Sequence, residues 1–387
     1  MGSERAYLDY NATAPLLGAA REAMLAALDA GANASSVHME GRAARHLIDD
    51  ARAAAAALVG ADAAHVVFTS GATEAATTLL TPEWRMGRAP LRIARLLVAA
   101  SDHPCLLAGG RFASEDVEVL PVDGDGLLDL AALERALSGE AGNGTALLAI
   151  HMANNETGVI QPVAEIGRIA KAAGALFVVD AVQAAGRVPL DISAISADFL
   201  ILSSHKIGGP KGAGAIVGAS ELLMPAPLVR GGGQEKGHRA GTENVPAIAG
   251  FGAAAREALA ALGHIQAIEV LRDEIERSVR EAAPGAVFYG DGALRLANTS
   301  FFSLPGVKAE TAQIAFDLAG VALSAGSACS SGRVGPSHVL AAMGHGSEAT
   351  ALRVSIGVAT TRSDIDRFSA ALGKFVARGA GQEHRAA

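Results

Sequence analysis

Lys206 directly follows an apolar segment, residues 199–202, which predicts a buried strand. Ser203 and His205 lie just before this lysine, and a turn containing Gly209-Pro210 lies just after it. A lysine in this setting can hold an aldehyde cofactor as a Schiff base while the hydroxyl and imidazole groups face the cofactor's phosphate. The cofactor with this chemistry is pyridoxal phosphate. The alternative is a surface lysine before a glycine-rich turn, because short motifs also occur by chance.

Asp180 ends a second apolar segment, residues 175–179, and Gln183 follows three residues later. Pyridoxal phosphate acts as an electron sink when its ring nitrogen stays protonated, and a carboxylate beside that nitrogen favours the charged form. Asp180 suits this role, and Gln183 can donate a hydrogen bond to the ring's phenolate oxygen. A helix N-cap is the other interpretation of Asp180.

The segment Ser-Gly-Ala-Thr-Glu at 70–74 follows a third predicted strand and precedes an alanine-rich helical pattern. Its glycine permits a tight turn, and the unpaired N–H groups of the first helical turn attract an anion. The segment therefore predicts a phosphate site at Ala72 and Thr73, although many helices begin in this way. All three segments place polar groups after apolar strands, which is where ligands bind in open α/β sheets.

Cys329 lies in a small, polar segment, residues 324–332, which contains no side chain that could fill a core. A cysteine in such a loop is expected to be exposed, and an exposed thiolate is a nucleophile. A small buried hydrophobic residue is the alternative for any cysteine. The neighbours of Cys329 favour the reactive role.

From Tyr7 to about Phe368, these segments in this order resemble the cysteine desulfurases of the housekeeping and nitrogen-fixation type, within the class V aminotransferases of the fold-type I pyridoxal phosphate enzymes. The motifs that carry the resemblance are Ser70-Gly71-Ala72-Thr73-Glu74, Asn154-Asn155-Glu156-Thr157-Gly158, His205-Lys206-Ile207, Gly209-Pro210-Lys211-Gly212, Gly231-Gly232-Gly233-Gln234-Glu235, Arg239-Ala240-Gly241-Thr242-Glu243-Asn244 and Gly326-Ser327-Ala328-Cys329. The long cysteine loop resembles this branch rather than the sulfur-mobilisation branch, whose cysteine lies in a tighter, histidine-rich setting.

The resemblance implies a set of cofactor ligands. They are Ala72, Thr73, Asn155, Asp180, Gln183, Ser203, His205 and Lys206, together with Thr242 of the partner subunit. Lys206 would carry the Schiff base, Asp180 would pair with the ring nitrogen, and Gln183 would bind the ring hydroxyl. The remaining hydroxyl and imidazole groups would hold the phosphate, and the Thr242 contact implies a homodimer.

The resemblance also implies the groups that act on substrate. His103 would stack on the cofactor ring and transfer protons, and Cys329 would take the sulfur. Asn155 and Arg353 would bind the substrate carboxylate, and Asn11 lies in the motif that lines the substrate pocket. Two simpler interpretations stay open: His103 before a proline can be a turn histidine, and Arg353 can pair with an acid of the protein.

The implied reaction removes sulfur from L-cysteine, which gives L-alanine and a persulfide on Cys329. The sulfur would then pass to an acceptor protein, such as a scaffold for iron–sulfur clusters, or serve thio-cofactor assembly. One alternative is another fold-type I enzyme, such as a selenocysteine lyase or an aminotransferase, but a transaminase needs no cysteine loop. The other is a non-catalytic scaffold, which the joint presence of Lys206, Asp180 and Cys329 disfavours.

Composition narrows the class of protein further. The chain has 387 residues, of which 50% are hydrophobic, and a formal net charge of −8. This charge disfavours binding to nucleic acid or to an anionic membrane. Two cysteines do not make a disulfide framework, so we expect a reducing, cytoplasmic location. The histidines lack metal-ligand spacing, no apolar stretch looks long and uncharged enough to span a bilayer, and no signal peptide is evident.

Strand and helix patterns alternate along the first part of the chain. Strands are predicted near 65–69, 95–100, 116–121, 146–151, 175–180, 199–203 and 213–217. The expected fold is α/β: a large domain with a mostly parallel seven-stranded sheet covered on both faces, and a smaller α+β C-terminal domain. We assign 16–245 to the large pyridoxal phosphate domain. Residues 1–15 and 246–376 form the small domain with a mobile cysteine loop near 324–335, and 377–387 form a disordered tail.

Overall fold

A computed structural model describes residues 5–138, 144–326 and 335–386, with side chains described as far as residue 377. The helices are α1 (Gly18–Ala30), α2 (Met39–Leu58), α3 (Ala72–Leu79), α4 (Pro104–Leu107), α5 (Leu130–Ser138), α6 (Val163–Ala172), α7 (Val245–Ala261), α8 (Ile265–Ala282), α9 (Ala309–Leu318), α10 (His338–Ala342) and α11 (Arg362–Ala386). The strands are β1 (Ala6–Tyr7), β2 (Val66–Thr69), β3 (Glu83–Met86), β4 (Ala89–Ala99), β5 (Val117–Leu120), β6 (Thr145–His151), β7 (Leu176–Asp180), β8 (Phe199–Ser203), β9 (Gly214–Gly218), β10 (Leu223–Pro225), β11 (Val287–Phe288), β12 (Thr299–Ser303), β13 (Val321–Ala322), β14 (Ser324–Ala325) and β15 (Leu352–Ser355).

The main sheet has nine strands, in the order β10-β3-β4-β6-β7-β8-β9-β2, with β5 also paired to β4. Strands β5, β4, β6, β7 and β8 are parallel neighbours, whereas β9 runs antiparallel between β8 and β2. The carboxyl ends of β6, β7 and β8 therefore meet at one edge, which is the usual ligand-binding edge of an α/β sheet.

Strands β7 and β8 are buried at every position, which explains their continuous apolar sequences. Successive side chains of β7 point to opposite faces, so Phe177 and Val179 belong to one core and Leu176 and Val178 to the other. Helices α1, α2 and α7 cover the first face, and α3 covers the second. The sheet is thus enclosed on both sides, as the sequence predicts.

A second core is built from helices α8, α9 and α11 and the four-stranded sheet β11-β12-β15-β14. Ile275 of α8 packs in this core with Phe316 and Phe368, whose rings stack with centroids 5.3 Å apart. The N-terminal strand β1 pairs in parallel with β13, which ties the start of the chain to this second core.

The seven predicted strands correspond to β2 and β4–β9, and their prediction is confirmed. The two additional strands of the main sheet, β3 and β10, form an antiparallel edge that the sequence did not reveal. Three of the four residues of β3 are exposed, and Glu83 and Arg85 are charged. An exposed edge strand lacks the apolar run on which strand prediction depends.

Helix α7 differs from two expectations. The predicted boundary at 246 puts it with the small domain, but Ile248, Phe251 and Ala255 pack in the large core. The sequence also suggested no stretch apolar enough to cross a membrane, whereas the helical stretch Val245–Ala282 passes that test by length and composition. Of its most apolar window, 61% is buried inside the protein, so contacts with α1 and α2 account for its apolarity.

The end of the chain also differs from expectation. Residues 377–387 were predicted to be disordered, but α11 continues as a helix as far as Ala386. Phe368 and Leu372 anchor the earlier turns of α11 in the second core. The residues beyond them include good helix formers such as alanine, glutamine, glutamate and arginine, which allow the helix to continue.

Candidate active site

Lys206 ends a short 3₁₀ turn that begins directly where β8 ends. It borders a cavity of about 560 Å³, the Lys206 cavity, at the carboxyl edge of the main sheet. Nine of the predicted site residues line this cavity: Ala72, Thr73, His103, Asn155, Asp180, Gln183, Ser203, His205 and Lys206. Nζ of Lys206 donates hydrogen bonds to the backbone oxygens of Asn11 (2.6 Å) and Ala12 (2.9 Å). The fold therefore collects the strand-end motifs around one amine.

Asp180 is the last residue of β7 and is 7% exposed. Its Oδ1 accepts a hydrogen bond from the Val182 N–H at 3.0 Å. Burial raises the pKa of Asp180 to about 6, although this hydrogen bond and the nearby His151 act in the opposite direction. A carboxylate with a raised pKa is stabilised when a cation lies beside it. Asp180 therefore suits a protonated ring nitrogen.

The turn from β2 into α3 forms the end of the cavity at which the sequence predicts a phosphate site. We call it the phosphate end. Gly71 is the N-cap residue, and α3 begins at Ala72, so the first N–H groups of this helix have no acceptor within the helix. Glu74 accepts hydrogen bonds from the Ser70 N–H (2.8 Å) and from Nε of Arg239 (2.9 Å), which hold the turn in place. Free amide groups and the helix dipole favour an anion here.

The close approach of β9 to this turn requires a glycine. A Cβ atom on Gly214 would lie 2.6 Å from the carbonyl carbon of Gly71, a separation that real Cβ atoms do not adopt. Gly214 pairs with Thr69 at the end of β2, directly before the turn. The absence of a side chain at Gly214 thus lets two backbones meet beside the phosphate end.

His205 lies at the phosphate end of the cavity as a neutral ring. Burial lowers the pKa of His205 to about 4, and the positive charges of Lys206 and Lys211 lower it further. Its Nδ1 lies 3.2 Å from Oγ1 of Thr13 in the N-terminal segment. Two lysines, a neutral imidazole and a helix N-terminus around one end of a cavity suit a phosphate group.

His103 lies on another wall of the cavity, as the N-cap residue of α4. Its Nδ1 accepts a hydrogen bond from the Cys105 N–H at 3.2 Å, so the proton of the neutral ring is on Nε2. Burial lowers the pKa of His103 to about 4, and Lys206 and His338 contribute in the same direction. His103 is therefore neutral at pH 7.

Arg353 and Asn11 do not line the cavity, unlike most of the predicted site residues. Arg353 is 1% exposed; Nη1 donates to the Asn155 backbone oxygen (2.9 Å) and Nη2 to Oδ1 of Asp9 (2.8 Å). Its Nε is buried without a hydrogen-bond partner among the described residues. Arg353 therefore has an acid partner within the protein and also a spare donor, and its contact with the cavity runs through Asn155.

The Asn11 amide is 1% exposed and engaged on both sides. Nδ2 donates to the Asn155 backbone oxygen (3.2 Å) and to Oγ1 of Thr299 (2.9 Å). Oδ1 accepts from Nη1 of Arg187 (2.9 Å) and from Nδ2 of Asn298 (3.1 Å). This side chain thus joins the N-terminal segment to both cores, and its backbone oxygen faces Lys206.

Thr242 and Cys329 are the remaining predicted site residues. Thr242 is exposed and lines a separate cavity of about 180 Å³, which shares the Ser70 and Gly212 wall with the Lys206 cavity. Cys329 lies outside the described residues, so its predicted role and the mobility of its loop stay predictions. Cys105, the other cysteine, lines the Lys206 cavity and is partly buried.

Sequence reasoning missed a buried pair, Asp102 and His151, behind the cavity. Oδ1 of Asp102 lies 2.5 Å from Nδ1 of His151 and accepts a hydrogen bond from the His151 N–H at 2.8 Å. His151 ends β6 directly opposite Asp180 on β7 and lines the cavity. The signal available in the sequence was a histidine at the end of an apolar strand. The described residues contain no group of three or more His, Cys, Asp or Glu that could hold a metal ion.

The model of the aminotransferase class-V family matches residues 6–368, and the chain belongs to that family. Members of this family use pyridoxal phosphate, and the Lys206 cavity fits that cofactor on its own evidence. Asp180 is a buried carboxylate suited to a cation, Lys206 supplies the amine, and the start of α3 supplies free amide donors for the phosphate.

Relatives in the family have a common name. A cysteine desulfurase of Cereibacter sphaeroides is 41% identical over 376 residues, which cover 94% of this chain and 94% of the relative. A cysteine desulfurase of Sinorhizobium fredii is 39% identical over 370 residues, covering 93% of this chain and 94% of the relative.

Solved structures agree with these relatives. A NifS-like protein from Rickettsia africae aligns with a TM-score of 0.84 at 32% identity, covering 96% of this chain and 99% of that one. SspA, solved in complex with cysteine, aligns with a TM-score of 0.74 at 28% identity, covering 91% of this chain and 98% of that one. The fold is therefore that of fold-type I pyridoxal phosphate enzymes.

Proposed function

We propose that this chain is a cysteine desulfurase that removes sulfur from L-cysteine, releases L-alanine and keeps the sulfur as a persulfide on Cys329. The observation that carries the proposal is the Lys206 cavity, which combines an amine, a buried carboxylate and, beside Lys211, a helix N-terminus that favours an anion. Relatives about 40% identical over almost the whole chain are named for this activity, which supports the choice of substrate.

Pyridoxal phosphate, when bound, withdraws electrons from the amino acid carbon attached to it. The residues of this chain hold and move the protons. Lys206 would hold the cofactor through its amine, and the same amine, when free, would take the proton from Cα of the substrate. Asp180 holds the proton on the ring nitrogen, because its burial makes a neighbouring cation favourable. His103, neutral at pH 7, is placed to exchange a further proton.

Cys329 performs the sulfur transfer. Its thiolate attacks the sulfur of the bound cysteine; the new S–S bond forms as the Cβ–S bond breaks, and the electron pair goes to the carbon that later gains a proton. Of the described residues that follow in the chain, Ser337 Oγ donates to Oε2 of Glu156 (2.5 Å), and Nε2 of His338 lies 2.9 Å from the Asp102 backbone oxygen.

Arg353 and Asn155 bind the substrate carboxylate in this proposal, with Asn11 supporting the wall behind them. The spare Nε of Arg353 and its burial suit a carboxylate ligand, because a charge-assisted hydrogen bond from a guanidinium to a carboxylate is stronger than one between neutral groups. The bond between Arg353 and Asp9 shows that this arginine already attracts an acid within the protein.

The active unit in this proposal is a homodimer in which Thr242 of the partner subunit reaches the phosphate. In one chain Thr242 is exposed and lies outside the Lys206 cavity, although the two cavities share a wall. Mixing an inactive Lys206→Ala chain with an inactive Thr242→Val chain should restore part of the activity, since one hybrid site would be intact. A fully active monomer in sedimentation would exclude the shared site.

The experiment that tests the function is measurement of alanine and sulfide from L-cysteine by the holoenzyme, with other amino acids and selenocysteine as competing substrates. Equal amounts of alanine and sulfur released from cysteine support a desulfurase. Amino-group transfer to a keto acid without sulfide would make it an aminotransferase, and activity with selenocysteine alone would make it a selenocysteine lyase.

The proposal also names a class of sulfur acceptor and a location. A protein that assembles iron–sulfur clusters or thiolated cofactors is the expected acceptor, and two cysteines in 387 residues suit the reducing cytoplasm. Faster turnover of cysteine on adding a candidate acceptor protein would identify it.

A further inference from the structure

Arg187 lies in the turns after β7, four residues after Gln183, which lines the Lys206 cavity. Nη1 donates to Oδ1 of Asn11 at 2.9 Å and to both the backbone oxygen (3.3 Å) and the side-chain oxygen of Gln183. Nη2 lies 3.3 Å from the backbone oxygen of Lys206. One guanidinium thus contacts three residues of the cofactor site.

The partners of Arg187 in the described part of the chain are all neutral oxygens. Burial lowers the pKa of Arg187 to about 9, and Arg353 contributes in the same direction, whereas no acid opposes the change. A partly buried cation whose hydrogen-bond partners are all neutral costs stability. The contacts that hold Arg187 in place therefore need a role beyond stability.

The contact with Arg187 fixes the orientation of the Gln183 amide. Because Oε1 accepts from Arg187, the amide nitrogen must be on the other side, where it donates to the Asn11 backbone oxygen at 3.0 Å. A flipped amide would place NH₂ against the guanidinium, donor against donor. Nε2 has a second hydrogen, and Gln183 lines the Lys206 cavity. Gln183 can therefore offer the ring oxygen a donor only.

We propose that Arg187 is a positioning residue that holds Gln183 as an obligate donor to the ring oxygen of bound pyridoxal phosphate and places a positive charge behind that oxygen. The proposal rests on the Lys206 cavity holding this cofactor. It concerns the resting holoenzyme, so it does not depend on which amino acid the enzyme consumes.

Other ionisable groups also surround the Lys206–cofactor linkage. Those that line the cavity are Glu74, His103, Cys105, His151, Asp180, His205 and Lys211. Tyr10, Glu257 and His264 line a second cavity that both Arg187 and Lys206 border. Arg353 with Asp9 lies behind Asn155. All of these residues are the same in the native protein and in the Arg187 variants.

The test is a pH titration of the visible absorbance of holoenzyme without substrate. Arg187→Met removes a positive charge and also the donor that Arg187 aligns on Gln183. Each loss favours the protonated form of the Lys206–cofactor linkage, so the pH midpoint of its titration should rise by about one unit. In the same variant the cofactor should dissociate about tenfold more readily. An unchanged midpoint in folded, cofactor-loaded Arg187→Met would overturn the proposal, because a purely structural role lowers stability without moving the midpoint.

A second comparison covers the case in which Arg187→Met does not fold. Arg187→Lys keeps the charge but has no planar fork, so it cannot hold Gln183 and Asn11 together. In the native background, Arg187→Lys should retain the cofactor about threefold less well than the protein with Arg187. In the Gln183→Leu background, proteins with Arg187 and Lys at position 187 should retain it equally well. The same loss in both backgrounds would mean that Arg187 does not act through Gln183. Neither readout involves desulfuration, so failure of the proposed activity would leave this test intact.

Discussion

The two walls of the Lys206 cavity are held in place by different means. On the sheet side, Asp180, Ser203 and His205 follow strand ends, and their positions come from backbone pairing between neighbouring strands. On the opposite side, Ala12 lines the cavity, and Asn11 and Arg353 lie behind it and are held by side-chain hydrogen bonds; we call this layer the opposite wall.

The comparison shows a division of tasks. The sheet wall carries groups whose charged forms are disfavoured by burial, as the raised pKa of Asp180 and the lowered pKa of His205 show. The opposite wall has its polar groups largely satisfied within the protein, as in the four hydrogen bonds of the Asn11 amide. We infer that the sheet wall is built for the cofactor and that the opposite wall is built to join the two cores around it.

The largest effect is expected on the sheet wall, at Lys206. Lys206→Ala should abolish both the visible band of bound cofactor and cysteine desulfuration, because the amine is lost while the strand is unchanged. Absorbance and an alanine assay measure the two effects. Borohydride reduction of the native holoenzyme followed by peptide mapping should place the label on Lys206. A label on Lys211 instead would show that the amine has been assigned wrongly.

The two cysteines can be compared in the same way. Cys105 lines the Lys206 cavity, and Cys329 follows β14 of the second core in the sequence. Cys329→Ser should keep the cofactor and the spectral change on adding cysteine, but lose alanine and sulfide formation. Cys105→Ser is the matched control and should keep most activity. Mass spectrometry after one turnover should find the added sulfur on Cys329; its presence on Cys105 would reverse the assignment.

Asp180 should show an intermediate effect. Asp180→Asn removes the charge that holds the ring nitrogen protonated, so the rate should fall by about a hundredfold, in keeping with pKa changes of one to three units beside a lost charge. Asp191→Asn, at the start of an exposed turn between β7 and β8, is the control and should be nearly unaffected. Steady-state kinetics with cysteine measure the change. Rates within twofold of native for Asp180→Asn would remove Asp180 from the cofactor site.

A smaller effect is expected on the opposite wall, at Arg353. Arg353→Lys keeps the charge but loses the bidentate geometry, so KM for cysteine should rise about tenfold while kcat changes less. Cofactor absorbance checks that the sheet wall is intact. An unchanged KM would show that Arg353 serves only its bonds to Asp9 and Asn155.

The smallest effect concerns stability and pH in the apoprotein. Burial lowers the pKa values of His103 and His205 to about 4, so between pH 6.5 and 4 the unfolded chain binds protons that the folded chain does not. The free energy of unfolding should therefore fall as pH falls through this window. Asp180, with its pKa raised to about 6, acts in the opposite direction but is a single group.

Urea unfolding of the apoprotein at pH 7 and pH 5 measures this effect. The double variant His103→Asn/His205→Asn should lose less stability between the two pH values, by on the order of 1 kcal/mol. Equal losses in native protein and double variant would mean that neither histidine is held neutral by the fold.

The cofactor side of the site could be predicted from the sequence to a large extent. Lys206, Asp180 and Thr73 each follow an apolar strand, and the structure brings all three to one cavity. In a parallel sheet the carboxyl ends of neighbouring strands converge, so residues far apart in the chain meet as a consequence of strand order. Local pattern and a general rule of topology were sufficient here.

The opposite wall could not be predicted in the same way. The pair Arg353–Asp9 and the bond between Asn11 and Thr299 join residues separated by 344 and 288 positions, with no local periodicity to reveal them. The same holds for the packing of α7 in the large core, which depends on its contacts with α1 and α2.

The sequence by itself determined seven strands of the main sheet, the motifs at their ends and hence the chemistry of the cofactor, because each depends on neighbours along the chain. Only the tertiary structure decided the charge states of Asp180 and His103, since burial sets them. It also decided the partners of Arg187 and Asn11, because a side chain with several possible hydrogen bonds takes those that the packed chain brings within reach.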